Sequence, residues 1–387
     1  MSSYFRDTTL DAEKNVGVPK PYIGNKAVQW DRIDISDLPT VPMSRADLGR
    51  FRLQKGDLLV CEGGEVGRAA IWDAPVEECY YQKALHRLRP LHGFDSRLMV
   101  AMLRQWSDGG LLANYVTQTS IAHLPREKFL ELPMPLPTPA EQRAIAGVLS
   151  DVDALLGALD QLIAKKGDLK QAATQQLLTG KTRLPGFEGE WTVKQIGGQI
   201  DLLTGFPFSS SQYTESGVRL LRGSNVKRGE TDWSADLVQC WPKISSEIAQ
   251  YELQGGDLVI SMDGSLVGRS YARLSETDLP AVLLQRVARI RSETIDIGFL
   301  TQFIGSDRFI KYCDSVKTVT AIPHISSADI RNFSIPLPPS KAEQIAIAEV
   351  LSDMDAELAA LEQRRAKTHA LKQGMMQELL TGRTRLV

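Results

Sequence analysis

Little in this chain advertises chemistry. It holds four cysteines and five histidines. Cys61, Cys79, Cys240 and Cys313 form neither a CxxC pair nor a metal-ligand spacing with any histidine, so reduced, unligated thiols in a cytoplasm are the reading. No apolar run approaches the ~18 residues of a membrane span, and Met1-Ser-Ser-Tyr-Phe-Arg has no signal-peptide core. Neither sign of charge dominates: 45 basic residues meet 47 acidic ones, a net of −2. The strong basic excess common among nucleic-acid binders is therefore missing, although a footprint need only be local. Also missing are an Asn/Asp-Pro-Pro-Tyr/Phe tetrapeptide for adenine methylation and an Asp…Glu-x-Lys metal cluster. There is no GxxxxGKS/T or GxGxxG phosphate loop either, so the glycines at 56, 63, 64, 256 and 264 read as turns. A self-contained methyltransferase or nuclease is disfavoured, and no catalytic or metal-binding residue is assigned.

What is present is a repetition. Glu141–Leu184 and Glu343–Leu386 share 28 identities over 44 positions at a constant offset of 202, and a repeat is read before anything else. Thr138-Pro139-Ala140-Glu141 has the order of a capping box with proline at the first helical position, and Ser340-Lys341-Ala342-Glu343 repeats it. Both copies stop at Leu-Leu-Thr-Gly, where Gly180 and Gly382 suit the left-handed residue past a helix end. About 40 proline-free residues between cap and stop make roughly 60 Å of helix. Apolar residues recur by fours and threes: Ile145, Leu149, Val152, Leu156, Leu159 and Ile163 in one copy, Ile347, Leu351, Met354, Leu358 and Leu361 in the other. Arg365 stands where Ile163 does. That is a narrow coiled-coil seam with one wet end, and two equivalent helices in one chain pair most economically with each other.

The chain then divides into a globular segment 1–137, a helical region 138–185, a globular segment 186–339 and a helical region 340–387. The globular segments share landmarks in order. A Gly-Asp turn feeds an apolar strand (Leu53–Val60, Leu253–Ile260), and a glycine-rich turn follows (Glu62–Arg68, Asp263–Arg269). Short strands with alternating basic residues come next (Gln82–Arg89, Gln285–Arg291), then helices over Ser96–Gln105 and Ile297–Phe309. Thr117-Gln-Thr-Ser-Ile-Ala-His123 matches Thr318-Val-Thr-Ala-Ile-Pro-His324. Each segment closes in proline-rich extended chain, Leu132–Pro137 and Ile335–Pro339. Short strands, many turns and some helix give a mixed α/β (α+β) fold class. The strand-like stretch Trp191–Gly205 has no counterpart ahead of Tyr22–Val28, so the first segment reads as trimmed at its N-terminal side.

In this order, and doubled, these motifs make the chain resemble the specificity subunits of type I restriction–modification systems. The resemblance rests on Gly205-Phe-Pro-Phe-Ser-Ser, Leu221-Arg-Gly-Ser-Asn-Val226, Gly256-Asp-Leu-Val-Ile-Ser261, Gly264-Ser-Leu-Val-Gly-Arg269, Ile335-Pro-Leu-Pro-Pro339 before Glu343-Gln344, and Leu379-Leu-Thr-Gly-Arg-Thr-Arg385. It implies two α/β target recognition domains separated by two long helices in an intramolecular antiparallel coiled coil. It further implies a non-catalytic, cytoplasmic protein that reads a bipartite, asymmetric site in double-stranded DNA. Two methyltransferase (modification) subunits and two restriction subunits would dock on it, and S-adenosylmethionine, ATP and magnesium would be cofactors of those partners. The alternative is a coiled-coil scaffold that binds proteins only.

Base reading needs donors and acceptors on loop tips, and phosphate contacts need Lys, Arg and hydroxyls. The candidates are Asn25, Lys26, Arg68, Gln118, Thr119, Ser120 and His123 in the first segment. In the second they are Tyr213, Arg222, Ser224, Asn225, Lys227, Arg228, Ser265, Arg269, Thr318, Thr320 and His324. Each has a framework alternative: Asn25 and Asn225 as turn formers, Arg68 and Arg269 as partners of acids, His123 and His324 as framework histidines. Glu141, Gln142, Asp151 and Asp153, with Glu343, Gln344, Asp353 and Asp355, are expected on exposed helix faces as candidates for methyltransferase docking, with ordinary solvation as the alternative.

Overall fold

The computed structural model describes residues 17–118 and 122–386. They fall into two compact units, one of residues 1–161 with 363–387, the other of residues 162–362. Each unit contains half of both repeated helices.

In the first unit, Leu58–Cys61 lies between Ala69–Ile71 and Leu85–Leu88, antiparallel to both. All four of its residues are apolar and buried. Side chains alternate across a strand, and here Leu59 and Cys61 join one apolar cluster while Leu58 and Val60 join another. A strand covered on both faces needs an unbroken apolar run. Gly56, at φ 89, forms the turn that feeds it. Asp57 holds that turn by accepting the Gln54 N–H at 2.8 Å and the Arg89 guanidinium at 2.6 Å. A second sheet sets Val18–Ile23 between antiparallel Thr40–Met43 and parallel Tyr80–Tyr81. The helix Ser96–Asp108 turns Leu98 and Met102 towards Ile145, Leu149, Met376 and Leu379.

The second unit repeats this plan with more strand. Leu258–Ser261 is the buried central strand of a five-stranded sheet, and Gly256, Asp257, Gln254 and Arg291 repeat the turn. Trp191–Gly205 supplies two strands: Thr192–Gln195 pairs antiparallel with Ser334–Leu337, and Asp201–Thr204 with Val287–Arg291. The single helix expected over Ile297–Phe309 is two, Ile297–Ile304 and Asp307–Val316. They part at Gly305, where a side chain would collide with the Tyr271 hydroxyl.

The long helices run Pro139–Leu177 and Lys341–Leu379, 39 residues each, about 58 Å at 1.5 Å per residue. In the first unit, rising numbers on one helix meet falling numbers on the other, so they are antiparallel: Asp153 pairs with Lys372 at 2.5 Å and Asp160 with Arg365 at 2.6 Å. In the second unit Lys166 pairs with Glu357 and Lys170 with Asp355. The expected seam residues are buried or half-buried throughout. The wet end expected at Arg365 is a correction: Arg365 is exposed but lies near the middle of its helix, opposite Asp160, and Thr368, Lys372, Met376 and Leu379 beyond it are buried again. Gly180 and Gly382 adopt φ 66 and 72 as their positions require. The capping boxes form only in part. The Thr138 hydroxyl accepts the Glu141 N–H at 3.4 Å, but the Glu141 and Glu343 carboxylates turn to arginines instead of back to the cap.

Candidate nucleic-acid interface

Four loops converge at one end of the sheets in each unit. In the second unit the Met262 N–H donates to the Arg286 carbonyl at 2.9 Å, Gly264 to Pro323 at 3.0 Å and Ile325 to Met262 at 2.9 Å. Asp263 bridges to His324. A side chain on Gly223 would press on Ser261 and Asp263, which brings in the Arg222–Asn225 turn. The first unit repeats three of these links: Glu62 donates to Ala84 at 3.1 Å, Leu124 to Glu62 at 2.7 Å, and Gly63 bridges to His123. The Asn25 amide donates to the Gly63 carbonyl at 2.5 Å. Strand register shows one difference. Leu58 corresponds to Leu258, but Ala69 corresponds to Tyr271, so the glycine-rich turn is longer in the second unit and Arg68 and Arg269 are not equivalent.

The sequence-derived loops are thus brought together, but their residues serve differently. Lys26, Ser224, Arg228, Ser265, Thr320 and His123 are exposed at or beside this end. Gln118 lies in a two-residue strand against Ala122, and Thr119 and Ser120 lie outside the described residues. Asn225 is a correction: it is fully buried, accepting the Arg222 N–H at 3.2 Å and donating to Asp232 at 2.9 Å, so it builds the turn and reads nothing. Arg68 donates to the Asn25 carbonyl at 3.0 Å and pairs with Glu65. Arg269 pairs with Asp314 at 3.1 Å, Arg222 donates to Leu237 at 2.5 Å, and Lys227 faces Asp232 at 3.6 Å. Tyr213 packs against the apolar cluster of Phe208, Leu220, Ile248 and Val282. Thr318 bonds the His324 ring at 2.9 Å, and Thr320 donates to the Ile322 carbonyl at 2.7 Å.

The model of the type I restriction modification DNA specificity domain matches residues 9–165 and again 188–369. The chain belongs to that family. Its match to the type I restriction enzyme MjaVIII specificity subunit of Methanocaldococcus jannaschii is 32% identical over 69% of this chain and 66% of that protein. The match to the EcoAI specificity subunit of Escherichia coli is 30% identical over 50% of this chain and 32% of that one. The crystal structure of a type I restriction–modification S subunit from M. genitalium covers 97% of this chain and 91% of its own, at a TM-score of 0.59 and 15% identity. That likeness is one of fold.

For this family member the expected exposed helix faces need a second correction. Glu141, Gln142, Glu343 and Gln344 are buried. Glu141 receives Arg385 and Glu343 receives Arg183. The Gln142 and Gln344 amide oxygens accept the Asp95 and Asp296 N–H at 3.1 and 2.8 Å. Asp153 and Asp355 carry the lysine pairs already described. Of the eight, Asp151 and Asp353 stay exposed. Identity between the copies here reflects one internal joint built twice. The four cysteines are buried; burial pushes the Cys79 thiol up to about 11 and the Cys313 thiol up to about 12, so neither is a ready nucleophile.

Proposed function

We propose that this chain reads DNA for a type I restriction–modification assembly in the cytoplasm, each unit reading one part of a bipartite, asymmetric site. The observation that carries this reading is a contrast. The same loops recur at the same end of both units while their residues diverge, and the two helical copies keep 28 of 44 positions identical. A common frame with different tips suits two different half-site words, and loop tips with sheet-borne support suit groove contacts. The chain does no chemistry; methylation and cleavage, with S-adenosylmethionine, ATP and magnesium, belong to its partners.

Docking of two like methyltransferase subunits moves to the outer helix faces. Asp151, Ala154 and Ala158 are exposed and recur as exposed Asp353, Ala356 and Ala360, at the three-and-four spacing a partner helix would follow. Mapping methylated adenines in the host genome, with the gene present and deleted, tests the whole reading. A two-part motif that vanishes on deletion is the expected result. An unchanged methylome, or turnover by the purified chain alone with DNA, S-adenosylmethionine and magnesium, rejects it. Inserting one heptad after Ala158 and another after Ala360 should change the spacer and leave both half-sites intact.

A further inference from the structure

The polar residues of the Thr318–His324 loop hold the loop itself. The Thr318 N–H donates to the His324 carbonyl at 3.0 Å, the Thr318 hydroxyl accepts the His324 N–H at 3.0 Å and bonds the His324 ring, and Thr320 closes onto Ile322. What this internal bonding leaves facing outward is apolar: Val319 is 103% exposed and Ile322 65%. Leu266, 57% exposed, sits in the lengthened turn stitched to the same loop through Gly264 and Pro323. None of the three belongs to an apolar cluster of the fold. Scattered exposed apolar residues need no explanation, but three on two bonded loop tips do.

We infer that Leu266, Val319 and Ile322 form an apolar reading tip that recognises thymine C5-methyl groups in the major groove of the half-site read by the second unit. This rests on the DNA-reading proposal and extends it. Thymine is the one base that offers an apolar group in that groove, and small aliphatic side chains are its complement. The setting favours DNA over a protein partner: the same two loop tips carry Thr318, Thr320, His324 and Ser265 beside the three apolar residues. Arg286 adds positive charge from the neighbouring turn. It is held at φ 73, a conformation non-glycine residues seldom keep without a purpose, and its guanidinium is exposed, 4.0 Å from Asp263. The loop is preorganised by its own hydrogen bonds, so little ordering cost falls on binding.

The test uses the full chain assembled with its methyltransferase partner and the mapped recognition duplex. Each thymine is replaced singly by deoxyuridine, which removes the methyl group and leaves every hydrogen-bonding edge. Competition binding should show about a fourfold loss per buried methyl at one or more positions of the second unit's half-site, and none in the spacer. Leu266→Ser, Val319→Ser and Ile322→Ser together, all at exposed positions, should keep assembly but abolish the thymine–uracil difference. Equal binding of all duplexes by the wild type overturns the inference, as does a triple variant that still discriminates. So does a variant that keeps its DNA preference but no longer assembles with its partner, which would make the tip a protein contact. A wild type that does not prefer the mapped site to random duplex is a different failure, that of the DNA-reading proposal itself.

Discussion

The two units part company most clearly at the approach to the long helices. In the second unit the chain before the helix is a strand paired with Thr192–Gln195, and Ile335 and Leu337 are 0% and 6% exposed. The first unit has the same Pro-Leu-Pro motif, yet Met134 and Leu136 are 40% and 68% exposed, and no strand pairs with them among the described residues. Near-identical motifs thus have opposite burial. What decides burial is the surrounding core: Ile335 and Leu337 join an apolar cluster with Ile196, Phe333 and Ile347, and no cluster among the described residues takes up Met134 or Leu136. The residues themselves do not carry that information.

The sharpest way to break this comparison is to make the same change in both places. Ile335→Asn should cost about 3 kcal/mol or more, because it trades core packing for an unpartnered amide. Met134→Asn should stay within about 0.5 kcal/mol, the range of ordinary surface changes. Urea unfolding of both variants measures the contrast, and equal effects would mean that the first unit's segment is covered after all.

The two arginine–glutamate joints allow a finer comparison. Arg183 also donates to Glu188 and Gly189 and is mostly shielded, whereas Arg385 is largely exposed. Removing one partner of a buried pair strands the other charge. Arg183→Ala should therefore destabilise its unit by about 3 kcal/mol, and Arg385→Ala by less. A reversed order in thermal unfolding would contradict the burial argument.

The smallest expected effect is one of pH. Arg385 beside Glu141 holds that carboxyl below its usual 4.5. A depressed folded value contributes stability above the unfolded value and loses it as pH falls through the folded one. Hydrogen-exchange protection at Thr381–Leu386, corrected for the intrinsic pH dependence of exchange, should therefore fall below about pH 4.5, and in Glu141→Gln it should already be low at neutral pH. Identical profiles for the two proteins would remove the pair from the account.

The helices and their pairing were legible in the chain because a seam repeats its signal every few residues, although Arg365 interrupts the middle of the pair and not its end. The landmark loops were legible because they occur twice. The fate of single polar residues was not. Glu141 meets a partner 244 positions away, and nothing local to Glu141 announces Arg385. Asn225 looks like a turn-tip donor until the Asp232 carbonyl is brought beneath it. The break at Gly305 depends on Tyr271, which arrives from another strand. The outward-facing Val319 and Ile322 are illegible for a related reason: the residue order does not show that Thr318, Thr320 and His324 spend their polar groups on the loop itself.

The lysines set into the helix seam have a consequence for how the chain finds its shape. Lys372 is nearly enclosed, and Asp153 and Asp160 meet Lys372 and Arg365 at matched steps, seven up one helix and seven down the other. A slip by two turns would keep one ion pair, Asp160 with Lys372 or Asp153 with Arg365, and set the other aspartate opposite Leu379 or Leu358. An all-leucine zipper would tolerate such a slip without that loss. Here charge favours the alignment that keeps both pairs, between segments that are synthesised some two hundred residues apart.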